Sequence, residues 1–346
     1  MKQAISLSFI LSFLILTACS DDGAPADTAT PMLADITVLT PLGGVGDNGY
    51  CDAALSGILE CAAGAGLEVS IIRPRTLAEA AARASEWNTR HTARRRMLVL
   101  PDCGYADIAR DIRADGSAST VLLFESDGRD MPAGVASFAI SRYGAAWLAG
   151  SMAQGSGTTH IVGGRPDDPQ VAEAAAGFAD GYTQYNPAGT VMTHYLADDH
   201  TGWAMPDSLY RLAARYQDDF FFPLAKGSNS GIFKFSRETP FTFLLIAGMD
   251  VDCSTFSKRV PFSVVIDVKT AVSGFVSRWS EGEDISGHTL FGLADGSASI
   301  RLNRLFYDSK DINDVWEHYY ADPSYWKNIY ENNYREALGK EAAYER

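Results

Sequence analysis

Three short segments carry residue types able to hold a small molecule. Gly44-Val45-Gly46-Asp47-Asn48-Gly49 follows an apolar run and precedes a helical pattern. It satisfies G-x-G-x-x-G, the spacing of loops that cradle a dinucleotide pyrophosphate. Such a loop is completed by an acid at the end of the next strand. The chain there is Ile71-Ile72-Arg73-Pro74, so no cofactor is expected. The loop is taken instead as flexible backbone closing around a ligand, with Asp47, Asn48 and the aromatic Tyr50 at its tip. The second segment, Ala225-Lys226-Gly227-Ser228-Asn229-Ser230-Gly231, has glycines and small hydroxyls that let backbone donors approach a ligand or simply cap a helix. It lacks the order of a nucleoside-triphosphate loop. Gly227 and Asn229 are its candidates. In the third, Asp250-Val251-Asp252, carboxylates can accept hydrogen bonds from ligand hydroxyls or amines, or serve as caps. Asp250 is the candidate there, and Tyr105 and Trp203 complete the set.

Nothing in this set asks for catalysis. G-x-S-x-G, H-E-x-x-H and clustered histidines are absent from the sequence. Asp198-Asp199-His200 is taken as a solvated loop, and Arg94-Arg95-Arg96, near His91, as a solvated helix end. The chain carries 29 Lys and Arg against 43 Asp and Glu, a formal charge of −14. That balance argues against nucleic acid, which selects a basic face.

The candidate loops sit in an alternation of short apolar runs and helical patterns. Strands are expected at Ile36–Thr40, Glu68–Ile72, Met97–Leu100, Val121–Phe124 and Val135–Ile140. Helices are expected at Asp52–Ala65, Leu77–Asn88 and Ala106–Ala114 between them. The rhythm restarts with helices at Gly144–Gln154, Val171–Tyr185, Ser208–Tyr216, Gly231–Ser236 and Thr270–Trp279, and strands at His160–Val162, Val191–Leu196, Phe220–Leu224 and Phe241–Ile246. This is the βαβα order of parallel sheets covered on both faces, given twice. Ligands of such sheets bind at the carboxyl ends of the strands, and two facing lobes would place one between them. From Asp311 on the chain is helical and aromatic: Trp316, Tyr319, Tyr320, Tyr325, Trp326, Tyr330 and Tyr334. A stripe at that spacing is expected to pack on the body, with a partner surface as the alternative.

The N-terminus has the marks of export. Lys2, the apolar run Ile5–Leu16 and Leu16-Thr17-Ala18-Cys19 form a secretory signal of residues 1–18 ending at a cysteine, the expected site of lipid attachment. The run is too short to span a bilayer. Residues 19–34, rich in Asp, Ala, Pro and Thr, read as a flexible tether. The mature chain is therefore expected outside the cytoplasm, held on a bacterial membrane at a periplasmic face or the cell surface. Export permits disulfides among Cys51, Cys61, Cys103 and Cys253, though free thiols are expected and no metal spacing is present.

Several segments, in order, resemble the basic membrane protein family of ABC-transporter solute-binding lipoproteins, which includes purine nucleoside receptors. The segment Val38–Tyr50 is similar to the family's opening motif. Val135–Ile140 followed by Gly144–Gly150 is similar to its "VASxTF…EGAYLAG". Ile161–Gly164 with Ala176–Tyr182, Ala225–Phe233, Ala247–Asp252 and Leu293–Gly296 parallel later motifs. The resemblance covers roughly residues 36 to 300. It implies a type I periplasmic-binding fold, two α/β lobes of doubly wound parallel sheet joined by a hinge. It also implies an N-terminal lobe of 35–141 with 262–285 returning to it, and a C-terminal lobe of 142–261 with 286–346. By the same resemblance Tyr50 would stack on a nucleoside base and Asp250 would hold ribose hydroxyls. An ABC permease would be the partner. Pro41, Cys51 and Ile266 stand where the family has polar ligand residues. The expected function is binding of a small polar, nucleoside-like ring compound for import, by a protein that is not an enzyme. The alternative is a sensor or structural lipoprotein with the same fold and a degenerate cleft.

Overall fold

Runs of Val, Ile, Leu and Phe without polar alternation make strands that are buried on both faces, as in parallel sheets covered by helices. The computed structural model of the chain describes residues 34–90, 93–114, 118–155, 157–304 and 324–344. The expected signal of residues 1–18, Cys19 and the tether before Ala34 fall outside the described residues. So do His91, Trp316, Tyr319 and Tyr320.

The first sheet contains β1 (Ala34–Leu39), β2 (Glu68–Ile72), β3 (Arg95–Leu100), β4 (Ser119–Phe124), β5 (Val135–Ile140) and β11 (Gly287–Phe291), in the order β11-β5-β4-β3-β1-β2. All its pairings are parallel. The second contains β6 (Thr158–Gly163), β7 (Thr190–Tyr195), β8 (Phe220–Leu224), β9 (Leu245–Asp250), β10 (Phe262–Ile266) and β12 (Ala298–Leu302), in the order β12-β10-β9-β8-β6-β7. Here β12 runs antiparallel to β10. The central strands β4, β5 and β9 are buried at every position, whereas the edge strand β2 is largely exposed.

Helices α1 (Tyr50–Ala65), α2 (Leu77–Thr89), α3 (Ala106–Asp111) and α8 (Val268–Ser280) cover the first sheet. Helices α4 (Tyr143–Met152), α5 (Pro169–Tyr185), α6 (Pro206–Arg215), α7 (Ser230–Glu238) and α9 (Tyr325–Ala343) belong to the second lobe. Capping fixes several of their starts. Thr76 accepts from the Glu79 N–H at 3.1 Å, Asp168 caps α5 ahead of Pro169, and Asp267 accepts from the Thr270 N–H at 3.0 Å.

The chain crosses between lobes three times: at Ser141–Arg142, at Asp267 and between β11 and β12. The crossovers are hydrogen-bonded to one another. The Ser141 N–H donates to the Phe291 carbonyl (2.8 Å), and the Asp267 N–H donates to that of Ser297 (2.7 Å). Two carboxylates reinforce the junction. Glu173 of α5 accepts from the Ser141 hydroxyl (2.8 Å) and the Arg142 N–H (3.2 Å). Glu341 of α9 accepts from the Gly144 N–H (3.1 Å) with one oxygen and from the Leu293 N–H (2.8 Å) with the other.

Several expectations are corrected. β10 pairs with β9 in the second sheet, and β11 pairs with β5 in the first. The stretch assigned as 262–285 therefore returns to the first lobe only from α8 onward, and the stretch 286–346 begins with a first-lobe strand. Hydrogen-bond pairing with strands distant in sequence, not local pattern, decides this. The strand expected at Phe241–Ile246 runs from Leu245 to Asp250, and Phe241 is 91% exposed in the preceding loop. Gly248 lies mid-strand in β9, where a Cβ would come within 2.3 Å of the Ser263 Oγ. Arg95 and Arg96, expected in a solvated helix end, instead open β3. Arg95 is buried with its guanidinium over Trp279, and Arg96 lies over Trp87 and donates to its carbonyl at 2.6 Å. Of the described aromatics near the C-terminus, Trp326 is 1% exposed and packs edge-on against Phe262, while Tyr330 and Tyr334 are half-buried against the same core.

Helices α4 and α5 approach backbone to backbone. A Cβ on Gly181 would come within 1.9 Å of the Trp147 carbonyl, and one on Gly150 within 2.0 Å of that of Phe178. Gly181→Ala is therefore expected to force the pair apart and cost about 2–3 kcal/mol, measured as a lower urea midpoint. An unchanged midpoint would show that the helices slide without penalty.

Candidate functional site

Every loop that faces the gap between the lobes leaves the carboxyl end of a parallel strand. β1 leads to Asp47, β3 to Asp102, β4 to Glu125, β6 to Asp168, β8 to Lys226, and Asp250 ends β9. Three adjoining cavities fill the gap. One of about 210 Å³ is lined by Asp47, Asn48, Asn229, Arg237, Asp250 and Phe256, among others. One of about 310 Å³ is lined by Pro41, Gly44, Cys51, Trp203 and Gly227. A small deep one of about 40 Å³ is lined by Tyr50, Asp102, Glu125, Arg142, Asp168 and Asp250. Lys226 lines all three, so they form one cleft.

The glycine-rich loop after β1 is held by its own acids. Asp52 accepts from the N–H groups of Gly46 and Asn48, both at 2.7 Å. Asp47 accepts from those of Gly49 (2.9 Å) and Cys51 (3.0 Å), which caps α1. The backbone donors that a phosphate would need are already occupied by carboxylates.

The floor of the cleft is a buried ion pair. Arg142 donates through both terminal nitrogens to the two oxygens of Glu125, each at 2.9 Å, and both side chains are 5% exposed. The Tyr50 hydroxyl donates to the same carboxylate at 2.6 Å, and the guanidinium carbon lies 5.3 Å from the centre of the Tyr50 ring. Burial works against the Arg142 charge, but Glu125 outweighs it and holds the guanidinium protonated. Burial and then Glu125 push the Tyr50 phenol up, so it stays a donor.

Above this floor, two opposite charges have no hydrogen-bond or ion-pair partner among the described residues. Asp250 is 9% exposed, and no group of the described residues donates to its carboxylate. Burial raises its carboxyl to about 6, against the opposing pull of Arg142. Lys226 is half-buried, with its ammonium 4.6 Å from the centre of the Trp203 ring. Burial works against its charge, and Cys51, followed by the acids Asp102, Asp168 and Asp250, more than offsets it. Backbone strain concentrates here as well. Five non-glycine residues among those described have positive φ, and four line the cleft: Asn48 (48°), Glu125 (55°), Lys226 (47°) and Asp250 (71°). Such conformations cost about 1–3 kcal/mol each and persist where surrounding structure imposes them, commonly at ligand sites.

The sequence-derived candidates divide accordingly. Asp47, Asn48, Tyr50, Trp203, Gly227, Asn229 and Asp250 all line the cleft. Asn229 uses its side chain to close its own loop, accepting from the Ala225 N–H (3.0 Å) and donating to the Pro223 carbonyl (3.3 Å). Tyr105 does not belong to the set. It is 1% exposed, and its hydroxyl donates to the Thr40 carbonyl at 2.6 Å, because a short 3₁₀ turn after β3 rotates it into the first lobe. Sequence reasoning missed Glu125, Arg142 and the side chain of Lys226. Asp199 accepts from the Thr201 N–H at 2.9 Å and caps a turn. Cys51, Cys61, Cys103 and Cys253 are free thiols.

No protein-family model matches the sequence, and no curated protein sequence matches it. Solved structures do match. An ABC transporter solute-binding protein from Aeropyrum pernix K1 aligns with a TM-score of 0.68 at 17% identity, covering 90% of each chain. A sugar ABC transporter protein from Yersinia enterocolitica aligns with a TM-score of 0.60 at 14% identity, covering 88% of this chain and 96% of that one. A transcriptional activator of the comK gene from Bacillus halodurans aligns with a TM-score of 0.59 at 16% identity, covering 88% and 98%.

Two predictions follow from the cleft geometry. Arg142→Met leaves the Glu125 carboxylate buried without its cation and should cost about 3–5 kcal/mol, read by urea unfolding; a loss under about 1 kcal/mol would mean the pair is replaceable by water. Asp250 titrates near 6 when folded and near 4 when unfolded. Between those values the folded chain holds more protons, so stability should fall as pH rises through that window. Asp250→Asn should flatten the slope and gain about 2 kcal/mol at pH 7 in ligand-free protein. A variant with the parent's slope would place the titration elsewhere.

The chain has the type I periplasmic-binding fold: two doubly wound, mainly parallel sheets joined by three crossovers.

Proposed function

We propose that this chain is an exported solute-binding protein that delivers a small polar, nucleoside-like ring compound to an ABC permease. The observation that carries this reading is the presence of Asp250 and Lys226, oppositely charged and without a hydrogen-bond or ion-pair partner among the described residues, on strained backbone in a cleft lined by both lobes. A buried charge without a partner is costly, and a ligand entering the gap supplies the missing hydrogen bonds. Two structural neighbours, a solute-binding protein and a sugar ABC transporter protein, support a transport role. Lobe closure about the three crossovers would accompany binding.

Calorimetry of the purified mature chain against nucleosides, bases and sugars tests the reading. A saturable heat with at least one class is expected, together with a smaller radius of gyration in X-ray scattering. Silence across all three classes would sink it. The lipid anchor on Cys19 belongs to the same proposal: Cys19→Ser should move the protein from the membrane fraction to the soluble one, and a variant that stays with membranes would refute attachment at that residue.

One observation favours the second reading, a sensor or structural lipoprotein acting through a protein partner. Tyr50, the residue expected to stack on a base, is 5% exposed, bonded to Glu125 and covered on one face by Arg142. In that reading the cleft stays silent toward all small ligands.

A further inference from the structure

We propose that His160, His194 and Asp219 form a proton-operated latch on the edge strand β7, which opens as pH falls and loosens the Trp203 wall of the cleft. The latch is independent of what the cleft binds.

His160 lies on β6 and is fully buried, yet both its ring nitrogens are engaged. Its Nε2 lies 2.9 Å from an Asp219 carboxylate oxygen, and its Nδ1 lies 3.0 Å from Nε2 of His194 on β7. A carboxylate only accepts, so Nε2 carries a proton. The contact between the two imidazoles then holds one proton, supplied by either ring. With both rings neutral, or with one of them charged, the bond survives. With both charged, two N–H groups face each other and it is lost. A histidine released from the contact titrates at about 6.5 without that limit.

The groups facing the pair set the direction. Asp219 favours the first proton. Burial, then His160, then Arg215 at the end of α6 hold the His194 imidazole below its ordinary value. The Tyr216 and Phe221 rings stack on His160, with centres 4.3 and 4.8 Å away. Asp218, beside Asp219, accepts from the Phe243 N–H at 3.2 Å. At acid pH the closed latch thus binds fewer protons than the open one. A base held below its ordinary value stabilises the fold above that value and loses the contribution as pH falls. The latch is closed at pH 7 and weakens below about 6.

Little else holds β7. It is an edge strand, paired with β6, and none of its residues is fully buried. Past His194 the chain runs on to the cleft. The Leu196 and Ala197 N–H groups donate to the Gly163 and Gly164 carbonyls at 3.0 and 3.1 Å. The turn His200–Ala204 then sets Trp203 against Gly164, where a Cβ would come within 2.1 Å of the indole. Trp203 lines two of the three cavities. Release of β7 loosens the segment that places this wall, a local opening of the kind expected where few side chains are buried.

The test is amide hydrogen exchange of the mature chain at a series of pH values from 7 to 5, expressed as protection relative to the free amide rate at each pH, on the parent, His194→Gln and Asp219→Asn. No ligand is needed. In the parent, β7 and His200–Ala204 should lose protection by about tenfold or more at pH 5. Glutamine donates or accepts across the same contact without titrating, so His194→Gln should keep its protection throughout. Asp219→Asn removes the charge that favours the first proton, so its loss should begin at a higher pH than the parent's. Asp250 titrates with the opposite sign, but it is present in all three proteins, so comparison among them isolates the latch. Thermal unfolding at pH 7 confirms that each variant is folded; if His194→Gln fails to fold, the shift in Asp219→Asn decides. Parent protection that is level across the series, an equal loss in His194→Gln, or an unshifted onset in Asp219→Asn overturns the latch. Loss in β7 with His200–Ala204 as protected at pH 5 as at pH 7 overturns its coupling to the cleft wall.

Discussion

The Glu125–Arg142 pair is the interaction on which the cleft depends. Arg142 sits in the first crossover, so a charge that must be neutralised is placed at the point where the chain changes lobes. Its partner ends β4, and the third member of the cluster, Tyr50, opens α1. One buried carboxylate therefore fixes a strand end, a helix start and a crossover relative to one another. Replacing a buried ion pair with apolar groups can be neutral for stability. What such a substitution would lose here is the fixed orientation of three elements around the ligand space.

That fixed floor shapes what lies above it. Tyr50 is drawn down by Glu125 and roofed by Arg142, which removes a stacking face from the cleft. The polar groups left open are those the floor does not reach, Asp250 on β9 and Lys226 after β8. Both belong to the second lobe, whereas the floor is built largely from the first, so an occupied cleft involves both halves. Structural neighbours with the same architecture include a transcriptional activator as well as solute-binding proteins, which places the burden of specificity on these side chains and not on the fold.

Much of the architecture was legible because buried parallel strands carry a near-continuous apolar signal: Val135–Ile140 and Phe220–Leu224 lie where the pattern places them. The lobe membership of Phe262–Ile266 and Gly287–Phe291 was not legible, since it is set by partners more than a dozen residues away. In the cleft, loop position found Asp47, Asn48, Gly227, Asn229 and Asp250, because strand ends mark themselves. Lys226 lies in a loop whose glycines and small hydroxyls point to backbone contacts, and the direction of its side chain depends on a φ of 47° that no local pattern announces. Arg142 stands just ahead of the helix expected from Gly144; its meaning comes from Glu125, 17 residues back. Tyr105 follows a strand end as the true cleft residues do, yet a single 3₁₀ turn sends it to the core.

Glu341 carries a consequence of a different kind. It bonds the first crossover at Gly144 and the third at Leu293, and it lies on α9, which follows the last strand of both sheets in the chain. Synthesis proceeds from the N-terminus, and domains begin to fold as they emerge. The two sheets can therefore assemble before the residue that joins their crossovers has been made. A nascent chain that has emerged only as far as β12, or one nicked ahead of α9, would contain both halves of the cleft without the tie that holds them in register.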